Sequence, residues 1–229
     1  MGTLAIVTIG QSPRVDLTPE ISDFLPQGTI LLECGALDGM TSEEIGSMAP
    51  VDGDQVLTSR MRDGSPVILG RQQLIARLQT LIREVERDVD VVMLACTGEF
   101  PIFSHTAPLI EPDIEIARSV AASALEFGTI GIICPLAAQQ ETSASKFHAS
   151  LPKTVGIVTA SATPYTTDMA PLEAAAEQLR SMGVDLIVLD CIGYTQTMCD
   201  TVERISGLPV LLSRTVAALA ASTHLTSLV

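Results

Sequence analysis

Short apolar runs alternate with longer amphipathic stretches along the whole chain. That rhythm predicts βα units arranged around parallel sheets. The runs with strand character are Leu4 to Ile9, Thr29 to Glu33, Val91 to Ala95, Thr129 to Ile133, Thr154 to Thr159, Leu186 to Asp190 and Pro209 to Leu212. They are rich in β-branched residues and almost continuously apolar, as strands covered on both faces should be. Two segments carry clear helical spacing. From Arg71 to Glu86, Leu74, Leu78, Leu81 and Val85 share a face and leave Arg77, Arg83 and Glu84 for solvent. From Pro171 to Met182 the apolar stripe is Leu172, Ala175, Ala176 and Leu179, and Gly183 stands where helices commonly stop. Between Gln55 and Gly70, the polar turn Arg62-Asp63-Gly64-Ser65 separates two β-prone pieces, which predicts a hairpin at the edge of the first half.

The pattern also repeats. Asp90-Val-Val-Met-Leu-Ala-Cys96-Thr-Gly-Glu corresponds position for position to Asp185-Leu-Ile-Val-Leu-Asp-Cys191-Ile-Gly-Tyr, at an offset of 95 residues. Thr3-Leu-Ala-Ile-Val resembles Thr129-Ile-Gly-Ile-Ile, and each run opens a half. A repeat of that length is too long for a solenoid. It predicts two similar α/β lobes whose strand ends meet at a cleft: residues 1–110 with the edge hairpin, residues 111–210, and a C-terminal helix over 211–229 returning to the first lobe.

Composition narrows the class. The chain has 229 residues, 47% of them hydrophobic, enough for a sizeable core without staples. With no Trp, two Tyr and five Phe, that core is aliphatic. The formal net charge of -14 repels phosphate backbones and anionic membranes, so neither nucleic acid nor membrane is an expected partner. The opening Met-Gly-Thr-Leu-Ala-Ile-Val has no positively charged stretch of a signal peptide, and a cytoplasmic location is expected. Five cysteines without CxxC spacing predict neither a disulfide framework nor a zinc site, and His105, His148 and His224 share no spacing with other ligands.

Candidate chemistry follows from the repeat. In open α/β sheets, ligands bind beyond the carboxyl ends of the strands, where Cys96 and Cys191 fall. Each has Gly at +2, Gly98 and Gly193, which permits a tight turn and close backbone approach. A helix starting just beyond would stabilise a thiolate or hold a substrate carboxylate. An isolated cysteine at a strand end is usually packing, but a matched pair in two halves points to function. Cys34, Cys134 and Cys199 lack that symmetry and are assigned to packing. Gly10, Ser12 and Arg14 follow the first strand and read equally as a carboxylate clamp or as a surface loop with an exposed arginine. Ser213 and Arg214 follow the last strand, where Ser213 reads as a helix N-cap or a ligand contact. Tyr194 reads as a donor to substrate or as a packed ring, and Asp190 is expected to face away from Cys191 because strand neighbours alternate.

Three stretches carry a family resemblance: Ile6-Val-Thr-Ile-Gly10-Gln-Ser12-Pro-Arg14, Leu94-Ala-Cys96-Thr97-Gly98-Glu-Phe100, and Leu189-Asp-Cys191-Ile192-Gly193-Tyr194 followed by Leu208-Pro-Val-Leu-Leu-Ser213-Arg214. They resemble the AroM family, which is similar in turn to the aspartate/glutamate/hydantoin racemase superfamily. The resemblance implies two flavodoxin-like lobes and a cofactor-independent isomerase, with Cys96 and Cys191 as opposed acid and base on a small carboxylate substrate. It implies no metal, pyridoxal phosphate or nicotinamide, and it suggests a homodimer. Gly10, Ser12, Arg14, Thr97, Gly98, Ile192, Gly193, Ser213 and Arg214 are then the candidate substrate-binding positions. Racemases commonly carry Asn-Thr after the first cysteine and Thr after the second. Here Thr97-Gly98 and Ile192 stand instead, which leaves the substrate open. Two other readings remain: a carboxylate-binding sensor without turnover, and a single-cysteine decarboxylase or cis-trans isomerase.

Overall fold

The strand-forming runs pair into two parallel sheets with the same internal order. The computed structural model describes residues 2–123 and 127–227. Positions 228 and 229 of the expected C-terminal helix lie outside the described residues. The chain divides into two compact units, one made of residues 1–112 with 217–229 and the other of residues 113–216.

In the first unit β1 (Thr3–Thr8) is flanked by β2 (Ile30–Gly35) and β5 (Val91–Ala95), and β6 (Leu109–Ile110) follows β5. The sheet order is β2-β1-β5-β6 and all pairings are parallel. Helices α1 (Thr18–Ser22), α2 (Ser42–Ser47) and α3 (Arg71–Val85) lie along the chain between these strands. Strands β3 (Val56–Arg60) and β4 (Pro66–Gly70) form a separate antiparallel hairpin, in register from Val56 opposite Gly70 to Arg60 opposite Pro66.

In the second unit β7 (Thr129–Cys134) lies between β8 (Gly156–Ser161) and β9 (Leu186–Leu189), and β10 (Val210–Leu212) pairs with β9. The helices are α4 (Pro112–Ser123), α5 (Gln140–Ser150), α6 (Ala170–Ser181), α7 (Gln196–Ser206) and α8 (Ser213–Thr226), the last running on into the first unit. Thus β1, β2 and β5 occupy the places that β7, β8 and β9 occupy in the other sheet. The equivalence extends to side chains. Asp90, just before β5, accepts the amide and hydroxyl of Thr3 at 2.8 and 2.7 Å. Asp185, just before β9, accepts the amides of Gly128 and Thr129, both at 2.8 Å. An acidic residue pins the same two strand starts in each unit.

All of β5 and β9 is buried, which explains their unbroken aliphatic sequences. In α3 the buried stripe is Leu74, Leu78, Ile82 and Val85. Ile82 therefore replaces the expected Leu81, which is only partly buried against the same core. Each fully buried aliphatic side chain contributes about 1.5–3 kcal/mol. Arg77 differs from the expectation of a solvent side chain: its Nε donates to the Ala36 carbonyl. The long stem lets the guanidinium reach that carbonyl from a half-buried position. Helix α6 buries the expected Leu172, Ala175, Ala176 and Leu179, and Gly183 takes a left-handed φ of 72° beyond its end. Strand β8 starts two residues later than its apolar run, because Val155 turns back to donate to the Pro152 carbonyl. Among the described residues no helix is long and apolar enough to cross a membrane.

Candidate functional site

In the second unit, β9 ends at Leu189 and delivers Asp190 and Cys191 to opposite sides, as strand alternation requires. Asp190 turns toward α5. There Lys146 Nζ sits 2.7 and 2.8 Å from its two oxygens, and the Ser143 hydroxyl donates at 2.9 Å. The side chains of Lys146 and Asp190 are 7% and 2% exposed, so the ion pair is a buried one. Cys191 Sγ instead accepts the Gly193 N–H at 3.4 Å and lies 3.9 Å from the Tyr165 hydroxyl.

The loop that presents Cys191 is held from behind by Arg214. This fully buried side chain donates through Nε to the Ile192 carbonyl and through Nη2 to the Gly193 carbonyl, both at 3.2 Å. A trans peptide sets C=O and N–H on opposite sides. Holding the Ile192 carbonyl therefore aims the Gly193 N–H at the sulfur. Ser213 is the first residue of α8 and its hydroxyl donates to the Leu189 carbonyl at 2.6 Å, tying α8 to the end of β9. Tyr194 is fully buried and donates to the Ala162 carbonyl. Burial, and after it the neighbouring Cys191, Cys134, Asp190 and Tyr165, push its phenol well above 10. Its proton is committed to Ala162. The sequence offers Tyr194 because it stands near Cys191 in the chain; the structure puts Tyr165 at the sulfur.

The first unit presents Cys96 in the same way. The Gly98 N–H donates to Cys96 Sγ at 3.3 Å. No helix follows directly: the chain from Thr97 to Pro108 is irregular, so the backbone donor at this thiol is a loop amide. Thr97 and Ile192, the residues after the two cysteines, are both buried. Both +2 glycines are pressed by a side chain. A Cβ on Gly98 would fall 2.8 Å from Leu57 Cδ2, and one on Gly193 would fall 2.7 Å from the Tyr165 hydroxyl. His105, ten residues or fewer past Cys96, is exposed with Nδ1 2.8 Å from the Ala107 carbonyl.

Beside Cys96, the segment after β1 is tightly knit. The Ser12 amide donates to Asp38 at 3.0 Å and the Ser12 hydroxyl donates to the same carboxylate. Arg62, from the hairpin turn, donates to the Ser12 carbonyl at 2.6 Å and to Asp38 at 3.2 Å. Arg14 is not a surface side chain. It is 2% exposed, and its Nε and Nη2 meet the two Asp16 oxygens at 2.8 Å each while Nη1 reaches Thr8 at 3.0 Å. Burial alone would raise the Asp16 carboxyl, but the hydrogen bonds and charge of Arg14, with Arg60 nearby, hold it below its ordinary value. Gly10 is where the hairpin touches this segment. A Cβ there would collide with the Arg60 carbonyl and Ser59 hydroxyl, and the next amide, Gln11, donates to Arg60 at 3.2 Å. Gly10→Ala is expected to cost about 1–3 kcal/mol by overpacking, seen as a lower denaturant midpoint.

The remaining cysteines are chemically quiet. Burial, then Asp38, Glu84 and Glu33, raise Cys34 to about 11. Burial and then Asp190 raise Cys134 to about 12, and its thiol donates to the Leu136 and Ala160 carbonyls. Burial, then Glu203 and Asp200, raise Cys199 to about 12. None of the three forms a thiolate readily near neutral pH. Among the described residues no three His, Cys, Asp or Glu side chains group as metal ligands would.

Comparison with known proteins places this architecture. In fold the chain is similar to glutamate racemase from Francisella tularensis subsp. tularensis SCHU S4 in complex with D-glutamate, with a TM-score of 0.62 at 11% identity, covering 99% of this chain and 81% of that one. It is similar to an unliganded arylmalonate decarboxylase, with a TM-score of 0.61 at 14% identity, covering 98% and 92%. It is also similar to the maleate isomerase Iso from Pseudomonas putida S16, with a TM-score of 0.54 at 13% identity, covering 98% and 93%. No curated protein matches the sequence. The family model described as AroM protein matches residues 4–225, and the chain belongs to the AroM family.

Proposed function

We propose that this protein is a cofactor-independent enzyme of the racemase and isomerase kind, moving a proton at a carbon next to a carboxylate with Cys96 and Cys191 as acid and base. One observation carries the reading. Each unit ends its equivalent strand in a cysteine whose sulfur accepts the N–H of the glycine two residues on, at 3.3 and 3.4 Å. An amide aimed at sulfur favours thiolate over thiol. The fold shared with a glutamate racemase, an arylmalonate decarboxylase and a maleate isomerase supports the same class of chemistry.

In the proposed step a thiolate takes the proton beside the carboxylate and becomes a thiol, leaving an enolate-like dianion. The other thiol returns a proton to that carbon and becomes the thiolate. Atoms and charge balance without an added reductant or oxidant. Such a carbon acid is weak, so preorganised donors must stabilise the dianion. Gly10, Ser12, Arg14, Thr97, Gly98, Ile192, Gly193, Ser213 and Arg214 are proposed to form and support the substrate-binding surface. Ser213 and Arg214 contribute by holding backbone carbonyls, and Arg14 by tying together the side chains of Asp16, Thr8 and Ser59.

The test is deuterium incorporation at the α-carbon in D₂O, run with amino acids and dicarboxylates that raise the thermal unfolding temperature. Exchange with at least one of them is expected. Stabilisation by a carboxylate without any exchange would identify a binding protein and remove the enzymatic reading.

A further inference from the structure

We infer that Tyr165 is a positioning residue for Cys191, its hydroxyl supplying a hydrogen bond that favours the thiolate form of the sulfur. The inference rests on the reading of Cys191 as an acid-base group and adds the side chain that tunes it. Tyr165 lies in the loop after β8, half-buried, with its amide fixed by the Thr163 hydroxyl at 3.2 Å. Its ring rests on the bare backbone of Gly193. A Cβ at that position would come within 2.7 Å of the hydroxyl and 2.9 Å of ring carbons Cε1 and Cζ. The glycine two residues after the cysteine therefore does two jobs. Its N–H points at the sulfur, and its missing side chain makes room for the phenol that also reaches the sulfur.

Three other groups near Cys191 have partners of their own. Asp190 is engaged by Lys146 and Ser143 on the α5 side. Cys134 donates to two carbonyls, and Tyr194 donates to Ala162. Both tyrosine hydroxyls lie near Cys191, but that of Tyr194 donates to Ala162, whereas that of Tyr165 faces the sulfur at 3.9 Å. The 3.9 Å separation is long. Hydrogen bonds to a charged acceptor are shorter and stronger than those to a neutral one. The contact therefore tightens as charge develops on Cys191, which is when a base needs it.

The test reads Cys191 directly and needs no substrate. Iodoacetamide alkylation of the full chain is followed against pH, with the Cys191 peptide quantified by mass spectrometry. The plateau rate at high pH reports access, and the pH midpoint reports thiolate formation. Tyr165→Phe is expected to raise the midpoint by about one unit, lowering the rate near neutral pH roughly tenfold relative to the plateau. Gly193→Ala keeps the N–H but must displace the ring, and is expected to shift the midpoint in the same direction. An unmoved midpoint in Tyr165→Phe overturns the inference, even if that variant loses activity, because a purely structural role moves only the plateau. A wild-type protein without proton exchange would defeat the proposed function and leave this measurement intact.

Discussion

Cys96→Ser and Cys191→Ser are each expected to lower α-carbon proton transfer by roughly 10²–10⁴-fold, the usual contribution of a positioned acid or base. The argument is one of ionisation rather than shape. Serine fits the space of cysteine and accepts the same Gly98 or Gly193 amide, yet its hydroxyl does not ionise near neutral pH. The proposed inversion uses both groups in turn, one to remove a proton and the other to deliver one. Loss of either therefore slows it by that factor. Both sulfurs are buried against the two cores, so thermal unfolding is measured beside activity; the fold is expected to persist, because the serine hydroxyl is smaller and keeps the glycine amide as its donor. Cys199→Ala, in α7 and with its thiol raised to about 12, should keep activity. Full activity in either serine variant would exclude the two-base mechanism. Loss in only one would assign single-thiol chemistry, a decarboxylation or cis-trans isomerisation.

The parts of this site that the sequence discloses are those that repeat. Cys96-Thr97-Gly98 and Cys191-Ile192-Gly193 stand out because the strands before them match, and those strands are legible because both faces are buried. Tyr165 is hidden for the opposite reason. It lies 26 residues before its partner sulfur, in a loop without periodicity, and only the missing side chain of Gly193 makes its position possible. Helix α5 escapes hydrophobic patterning because Ser143 and Lys146 lie on its buried side beside Phe147. A stripe that is partly polar carries no amphipathic signal. Asp190 is placed by strand alternation, which says which way it points but not what meets it. Arg14 and Arg214 show the same limit. Charge predicts a surface or a ligand, whereas Asp16 in one case and two loop carbonyls in the other draw the guanidinium inside. The family resemblance was sound because it rested on the contiguous stretches around the strand ends, and the match over residues 4–225 extends it to nearly the whole chain.

Lys146→Met is expected to destabilise the protein by about 3–5 kcal/mol, the cost of leaving a buried charge without its partner. Asp190 is 2% exposed at its side chain and receives the Lys146 ammonium on both oxygens, at 2.7 and 2.8 Å. With methionine at 146, the Ser143 hydroxyl still donates to Asp190, but a neutral donor does not replace an ammonium. Methionine fills nearly the same volume, so a cavity is not the cause. Calorimetry should register a fall of roughly 6–20 °C in the unfolding temperature, at about 2–4 °C per kcal/mol for a chain of this size. Pairing Lys146→Met with Asp190→Leu separates the ion pair from the packing, because the buried charge then disappears with its partner. That double variant should recover most of the lost stability, as apolar replacements of buried pairs often do. A double variant as unstable as the single one would mean that Asp190 and Lys146 act through contacts other than their mutual attraction. The same pair bears on the chemistry proposed for Cys191, since Asp190 precedes it directly in the chain. Its anchoring to α5 fixes the end of β9, and with it the direction in which the sulfur leaves the strand.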